Sequence, residues 1–68
     1  MNQIAVFQLK DKEVNMLYQN GKLGYTFEHN GNNYGLSVEV KSKKVLDIAS
    51  ATFQLLQNCY ETIEKLNE

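Results

Sequence analysis

Sixty-eight residues bound this chain to one domain, near the lower size at which a single hydrophobic core holds by itself. Hydrophobic residues make up 43% and charged residues 22%, a globular balance that excludes a disordered chain. The net charge of −1 gives no general attraction to nucleic acid or anionic membranes, and the single Cys59 and single His29 exclude an intramolecular disulfide and a Cys/His zinc site built from this chain alone.

Domains this small usually carry a staple, and a partner subunit is the one left over. The opening segment MNQIAVFQLK has neither the basic start nor the apolar run of a secretory leader. No apolar run approaches the ~20 residues that span a bilayer. With one unpaired thiol, the expected location is a reducing cytoplasm.

In chain order, residues 4–9 read as a first strand, apolar and β-favouring. Lys10-Asp11-Lys12-Glu13 reads as a charged loop of four residues before a second strand at about 14–19. That spacing sets Leu9, Phe7 and Ala5 on the same face as Val14, Met16 and Tyr18.

The clearest local signals are Asn20-Gly21 and Asn30-Gly31, each flanked by alternating apolar residues as two-residue hairpin turns require. They delimit strands at about 22–29 and 32–41. The first turn sets Tyr18 opposite Leu23, Met16 opposite Tyr25 and Val14 opposite Phe27. The second sets Phe27 opposite Tyr34, Tyr25 opposite Leu36 and Leu23 opposite Val38. All six pairs are apolar and share one face, and a one-residue slip in either hairpin breaks that agreement.

From about 43 to 67 the hydrophobic period changes from 2 to about 3.6. Ser42 is the expected N-cap, and no proline or glycine interrupts the segment. Val45, Ile48, Ala49, Thr52, Leu56, Cys59, Ile63 and Leu66 form the expected inward stripe. The fold class is therefore α+β: one domain over residues 1–68, a four-stranded antiparallel β-meander in order 1-2-3-4 packed on one long C-terminal α-helix (ββββα).

The helix carries more apolar surface than one sheet needs. Leu46, Phe53 and Tyr60 recur at intervals of seven beside the main stripe, and with Ala49, Leu56 and Ile63 they form a seam of the kind that packs on another helix. These three residues are the first candidate interface; the alternative is a sheet that curls around the helix and buries them. On the other side of the sheet, Ile4, Val6 and Leu17 face outward beside Gly24, Gly35, Thr26 and Ser37. Val6 and Leu17 mark a second candidate interface.

Ser42, Lys43 and Lys44 stand at the helix start, where free N–H groups and ammonium groups are able to hold an anion. A solvated charged junction is the plainer reading, and the charge order (Lys41, Lys43 and Lys44 first, Glu61, Glu64 and Glu68 last) opposes the helix dipole. His29 reads as an exposed turn residue and Cys59 as a small hydrophobe on the apolar stripe. Tyr18, Tyr25, Phe27 and Tyr34 fall on the core face, so they are core rather than stacking platforms for bases. No phosphate loop, general acid–base pair or catalytic triad is present, and no cofactor is expected.

Two stretches carry a resemblance. Tyr34-Gly35-Leu36-Ser37-Val38-Glu39-Val40-Lys41, followed by Leu46-Asp47-Ile48-Ala49-Ser50-Ala51-Thr52-Phe53, is similar to a small uncharacterised protein family of staphylococcal phages and prophages. The similarity covers about sixteen residues, and this chain is shorter between the two stretches. No functional residue transfers. The resemblance implies a setting, a mobile element's accessory protein that binds a host or defence protein. The expected function is thus a non-enzymatic, oligomeric protein-interaction protein, with an oligomeric module for a small anionic ligand such as a nucleotide as the alternative.

Overall fold

The computed structural model describes residues 2–68. Four strands, β1 (Asn2–Leu9), β2 (Lys12–Gln19), β3 (Lys22–His29) and β4 (Asn32–Glu39), form one antiparallel sheet in the order β1-β2-β3-β4. A single helix, α1 (Val45–Leu66), follows. The ββββα meander is therefore the architecture of this chain. Among the described residues no helix is long and apolar enough to cross a membrane.

The two Asn-Gly turns form as expected, because both asparagines and both glycines take the positive φ that such turns demand: +51° and +75° at Asn20-Gly21, +53° and +82° at Asn30-Gly31. They set Met16 opposite Tyr25, Tyr18 opposite Leu23, Phe27 opposite Tyr34, Tyr25 opposite Leu36 and Leu23 opposite Val38. Tyr25 and Phe27 stack at 6.1 Å and Phe27 and Tyr34 at 5.6 Å between ring centroids, which lines the core face with aromatic surface.

The first hairpin differs from the sequence reading. Its connection is the two-residue turn Lys10-Asp11, not a four-residue loop, so Lys12 and Glu13 belong to β2 and Phe7 pairs with Val14. Lys10 takes φ +56°, a conformation that a lysine does not advertise in sequence. Its ammonium reaches Glu64 of α1 at 3.1 Å and lies 4.7 Å over the Tyr60 ring, so tertiary contacts hold the turn. A two-residue change leaves the same face inward, because the side-chain period is two. A bulge between Gln3 and Ala5 then breaks the alternation at Ile4. Ile4, expected on the back of the sheet, instead borders the helix side with Tyr18, Leu23 and Ile48.

The helix begins at Val45 rather than 43. Lys44 is the N-cap, with extended backbone and no side-chain capping bond, which corrects the expectation for Ser42. Its buried face is Ala51, Leu55, Cys59 and Ile63, a four-residue row. Of the expected stripe, Cys59 and Ile63 are inside, whereas Val45 is 80% and Leu56 37% exposed. The helix is turned toward Ala51 and Leu55, which share one buried cluster with Tyr25 and Phe27 of β3. These four residues with Val14, Met16, Leu23, Tyr25 and Phe27 make the buried core. Leu36, expected inside, lies 43% exposed on the edge strand β4.

Twenty-two residues make a helix of about 33 Å, against roughly 26 Å for an eight-residue strand. The longest dimension of the molecule, 36 Å, is set by the helix. Its first turn overhangs, which leaves Val45 and Leu46 the most exposed large apolar residues of the chain.

Candidate functional site

The helix packs closest on β3 and β4 and still buries Val14 and Met16 of β2, while Ile4 and Ala5 of the edge strand β1 stay exposed beside it. Four strands span roughly 19 Å and one helix covers only about 10 Å of that width. The uncovered part becomes a cleft. Its floor is Ile4, Ala5, Phe7, Met16 and Leu23, and its wall is Ile48, Thr52 and Leu56 of α1. The hollow there encloses about 370 Å³, and an adjoining hollow of about 390 Å³, bordered by Tyr18, Val40, Ser42 and Lys43, shares Ile4, Leu23 and Ile48 with it. Almost every lining side chain is apolar.

Above the wall, the helix flank singled out by its seven-residue spacing continues the apolar surface. Leu46 is 82%, Phe53 67% and Tyr60 43% exposed. The sheet does not curl around them, since it has no more strands on that side. The flank adjoins the wall along the helix, since Phe53 and Leu56 are one turn apart, and the Lys10–Glu64 ion pair lies toward the C-terminal end of the helix. Glu64 is held below the usual carboxylate range by hydrogen bonding from Tyr60 and then by Lys10.

Val6 and Leu17 lie on the opposite side of the sheet. Val6 is exposed, and Leu17 is half-buried in a hollow of about 260 Å³ with Gly24, Thr26, Gly35 and Ser37. Strand packing requires the glycine at 35 and leaves little room at 24. A Cβ on Gly35 meets the Tyr25 carbonyl oxygen at 2.5 Å, and one on Gly24 meets the Leu36 carbonyl oxygen at 3.0 Å. Their smallness is therefore explained by strand packing, without a partner.

The Ser42 hydroxyl of the candidate anion site is already engaged. The Ser42 hydroxyl donates to the Asp47 carboxylate and accepts from the Lys44 backbone N–H. A carboxylate of the chain stands beside the hydroxyl a phosphate would need, and Lys43 borders the largely apolar hollow next to it. His29 is half-buried rather than exposed, its ring edge-on to Tyr34 at 6.4 Å and its Nδ1 shielded without a partner. Burial pushes the Cys59 thiol up to about 11, so it is unreactive at neutral pH. Among the described residues, no group of three His, Cys, Asp or Glu side chains comes close enough to hold a metal ion.

Sequence reasoning found the exposed helix flank through its heptad spacing but not the cleft floor. The floor needs the bulge at Ile4 and the off-centre seat of the helix, and neither leaves a local mark. Comparison with known proteins finds no match: no family model, no curated protein and no solved structure is similar to this chain.

Proposed function

We propose that this chain is a small non-enzymatic protein-interaction protein, oligomeric in its working form. In the setting implied by its phage-like stretches, it acts in the cytoplasm on a host or defence protein. The observation that carries this reading is the cleft: Ile4, Ile48 and Leu56 line an apolar hollow, Phe53 stands exposed on the adjoining helix flank, and no described element covers them. The total accessible surface, 4869 Å², exceeds the roughly 4,400 Å² of a compact monomer of this mass. Such excess surface is the kind that association removes from water.

The alternative, a module for an anionic ligand at Ser42, Lys43 and Lys44, requires the ligand to displace the Asp47 carboxylate from Ser42. No observation favours it over the cleft.

The test is affinity capture from a staphylococcal lysate with the wild type, Phe53→Glu and Val6→Glu. Specific retention of one host protein by the wild type, lost in Phe53→Glu and kept in Val6→Glu on the other side of the sheet, is the expected result. Equal retention by all three, or retention by none, overturns the reading. A thermal shift with inorganic phosphate or nucleotides that disappears in Lys43→Ala would instead restore the anion alternative.

A further inference from the structure

The partner that the cleft fits best is a second copy of this chain. We infer that two protomers join about a twofold axis with cleft facing cleft, the two α1 helices packed antiparallel along Leu46, Ala49, Phe53, Leu56 and Tyr60. This rests on the interaction reading above and names its first partner.

Three observations converge on it. The first is spacing. Those five residues recur at intervals of three and four, the seam by which one helix packs on another, and all five are exposed. Such a seam pairs with its own copy about a twofold axis, and we take the helices as antiparallel on the charge order given below. Phe53 then meets its own copy at the axis, and Leu46 of each protomer meets Tyr60 of the other.

The second is area. Val45, Leu46, Ile48, Phe53, Leu56, Tyr60 and Ile4 expose 37 to 82% of their surfaces. Together that is roughly 800 Å², the amount each partner contributes to a standard stable interface. At the β1 edge of the sheet, Ile4 and Ala5 remain exposed beside the helix. The facing arrangement encloses the bare floors of both protomers beside their paired helices.

The third is charge. Lys43 and Lys44 stand at the start of the helix and Glu61 and Glu68 near its end, an order that Asp47 and Lys65 offset only in part within the helix, while Glu64 is held by Lys10. In an antiparallel pair each lysine cluster lies beside the partner's glutamate cluster, and the order unfavourable within one helix becomes favourable between two. A parallel pair sets lysine beside lysine and glutamate beside glutamate.

The experiment combines sedimentation with disulfide trapping in the full chain. Cys59 has no exposed surface, so introduced cysteines report without interference. The wild type is expected to sediment as a dimer at tens of micromolar. Phe53→Glu, at an exposed position that leaves the fold intact by circular dichroism, is expected to weaken association at least tenfold. Leu36→Glu, exposed but on β4 away from the cleft, is expected to leave it unchanged. Phe53→Cys should form a disulfide with itself, and Leu46→Cys should cross-link to Tyr60→Cys but not to another Leu46→Cys.

A wild-type monomer at these concentrations overturns the dimer, as does a dimer insensitive to Phe53→Glu. Self-linking of Leu46→Cys without Leu46–Tyr60 linking overturns the antiparallel arrangement. A monomer that still captures a host protein through Phe53 sinks this inference and leaves the interaction reading standing.

Discussion

Leu55 and Leu56 are adjacent in sequence, and the seat of the helix assigns them opposite fates. Leu55 has no exposed surface, and the buried residues one turn to either side of it are Ala51 and Cys59. Both are small, so little neighbouring side chain can relax into vacated space. Leu55→Ala is therefore expected in the upper part of the usual range for such truncations, about 3 to 4 kcal/mol. A 68-residue domain has only on the order of 3 to 10 kcal/mol of stability in total. The expected fall in Tm is then roughly 12 to 30 °C. Leu56, 37% exposed at the lip of the cleft, is expected to cost less than about 1.5 kcal/mol when truncated in the dilute monomer. Its effect should grow with protein concentration as the dimer forms, whereas that of Leu55→Ala should not. Thermal and urea unfolding by far-UV circular dichroism, repeated over a hundredfold concentration range, separates the two. If Leu56→Ala costs as much as Leu55→Ala in the dilute protein, the helix is seated on the stripe that its hydrophobic spacing predicts and the cleft does not exist.

Gly35→Ala is expected to destabilise by about 1 to 3 kcal/mol, since its Cβ meets the Tyr25 carbonyl oxygen at 2.5 Å and backbone must move; urea midpoints measure it. Tyr25→Phe removes a hydroxyl that donates to Asn58 Oδ1, and the expected loss is about 1 kcal/mol because the exposed Asn58 regains water as a partner. Alkali should unfold the domain early. Burial raises Cys59 to about 11 from an ordinary value near 9, so the stability it contributes is full below about pH 9 and is lost as pH rises toward 11. Burial raises Tyr25 in the same direction. In Cys59→Ala that part of the alkaline loss should be absent, as read from unfolding midpoints at stepped pH. Wild-type Cys59 should also react with a thiol reagent only at the rate at which the domain opens.

The meander was legible because it is written in local chemistry. Asn20-Gly21 and Asn30-Gly31 supply the positive φ that tight hairpins need, and with turn positions fixed the alternation of Leu23, Tyr25 and Phe27 determines which face is inside. The helix was legible from its changed period and its freedom from proline and glycine. The heptad recurrence of Leu46, Phe53 and Tyr60 also marked an exposed flank. What sequence could not carry are relations that are rigid-body or strained. The Lys10-Asp11 turn holds a lysine at φ +56° by contacts to Glu64 and Tyr60, residues some fifty positions away. The bulge at Ile4 redirects one side chain without altering composition. The rotation of α1 about its axis was decided by which residues fit the aromatic surface of Tyr25 and Phe27. Hydrophobic periodicity fixes an arc of about half the helix but not the angle within it, so Ala51 and Leu55 went inside while Val45 and Leu56 were left out. The helix shift toward β3 and β4 then opened the cleft. Local sequence determined the elements and their order; the seat of the one helix on the sheet determined which apolar residues remain uncovered.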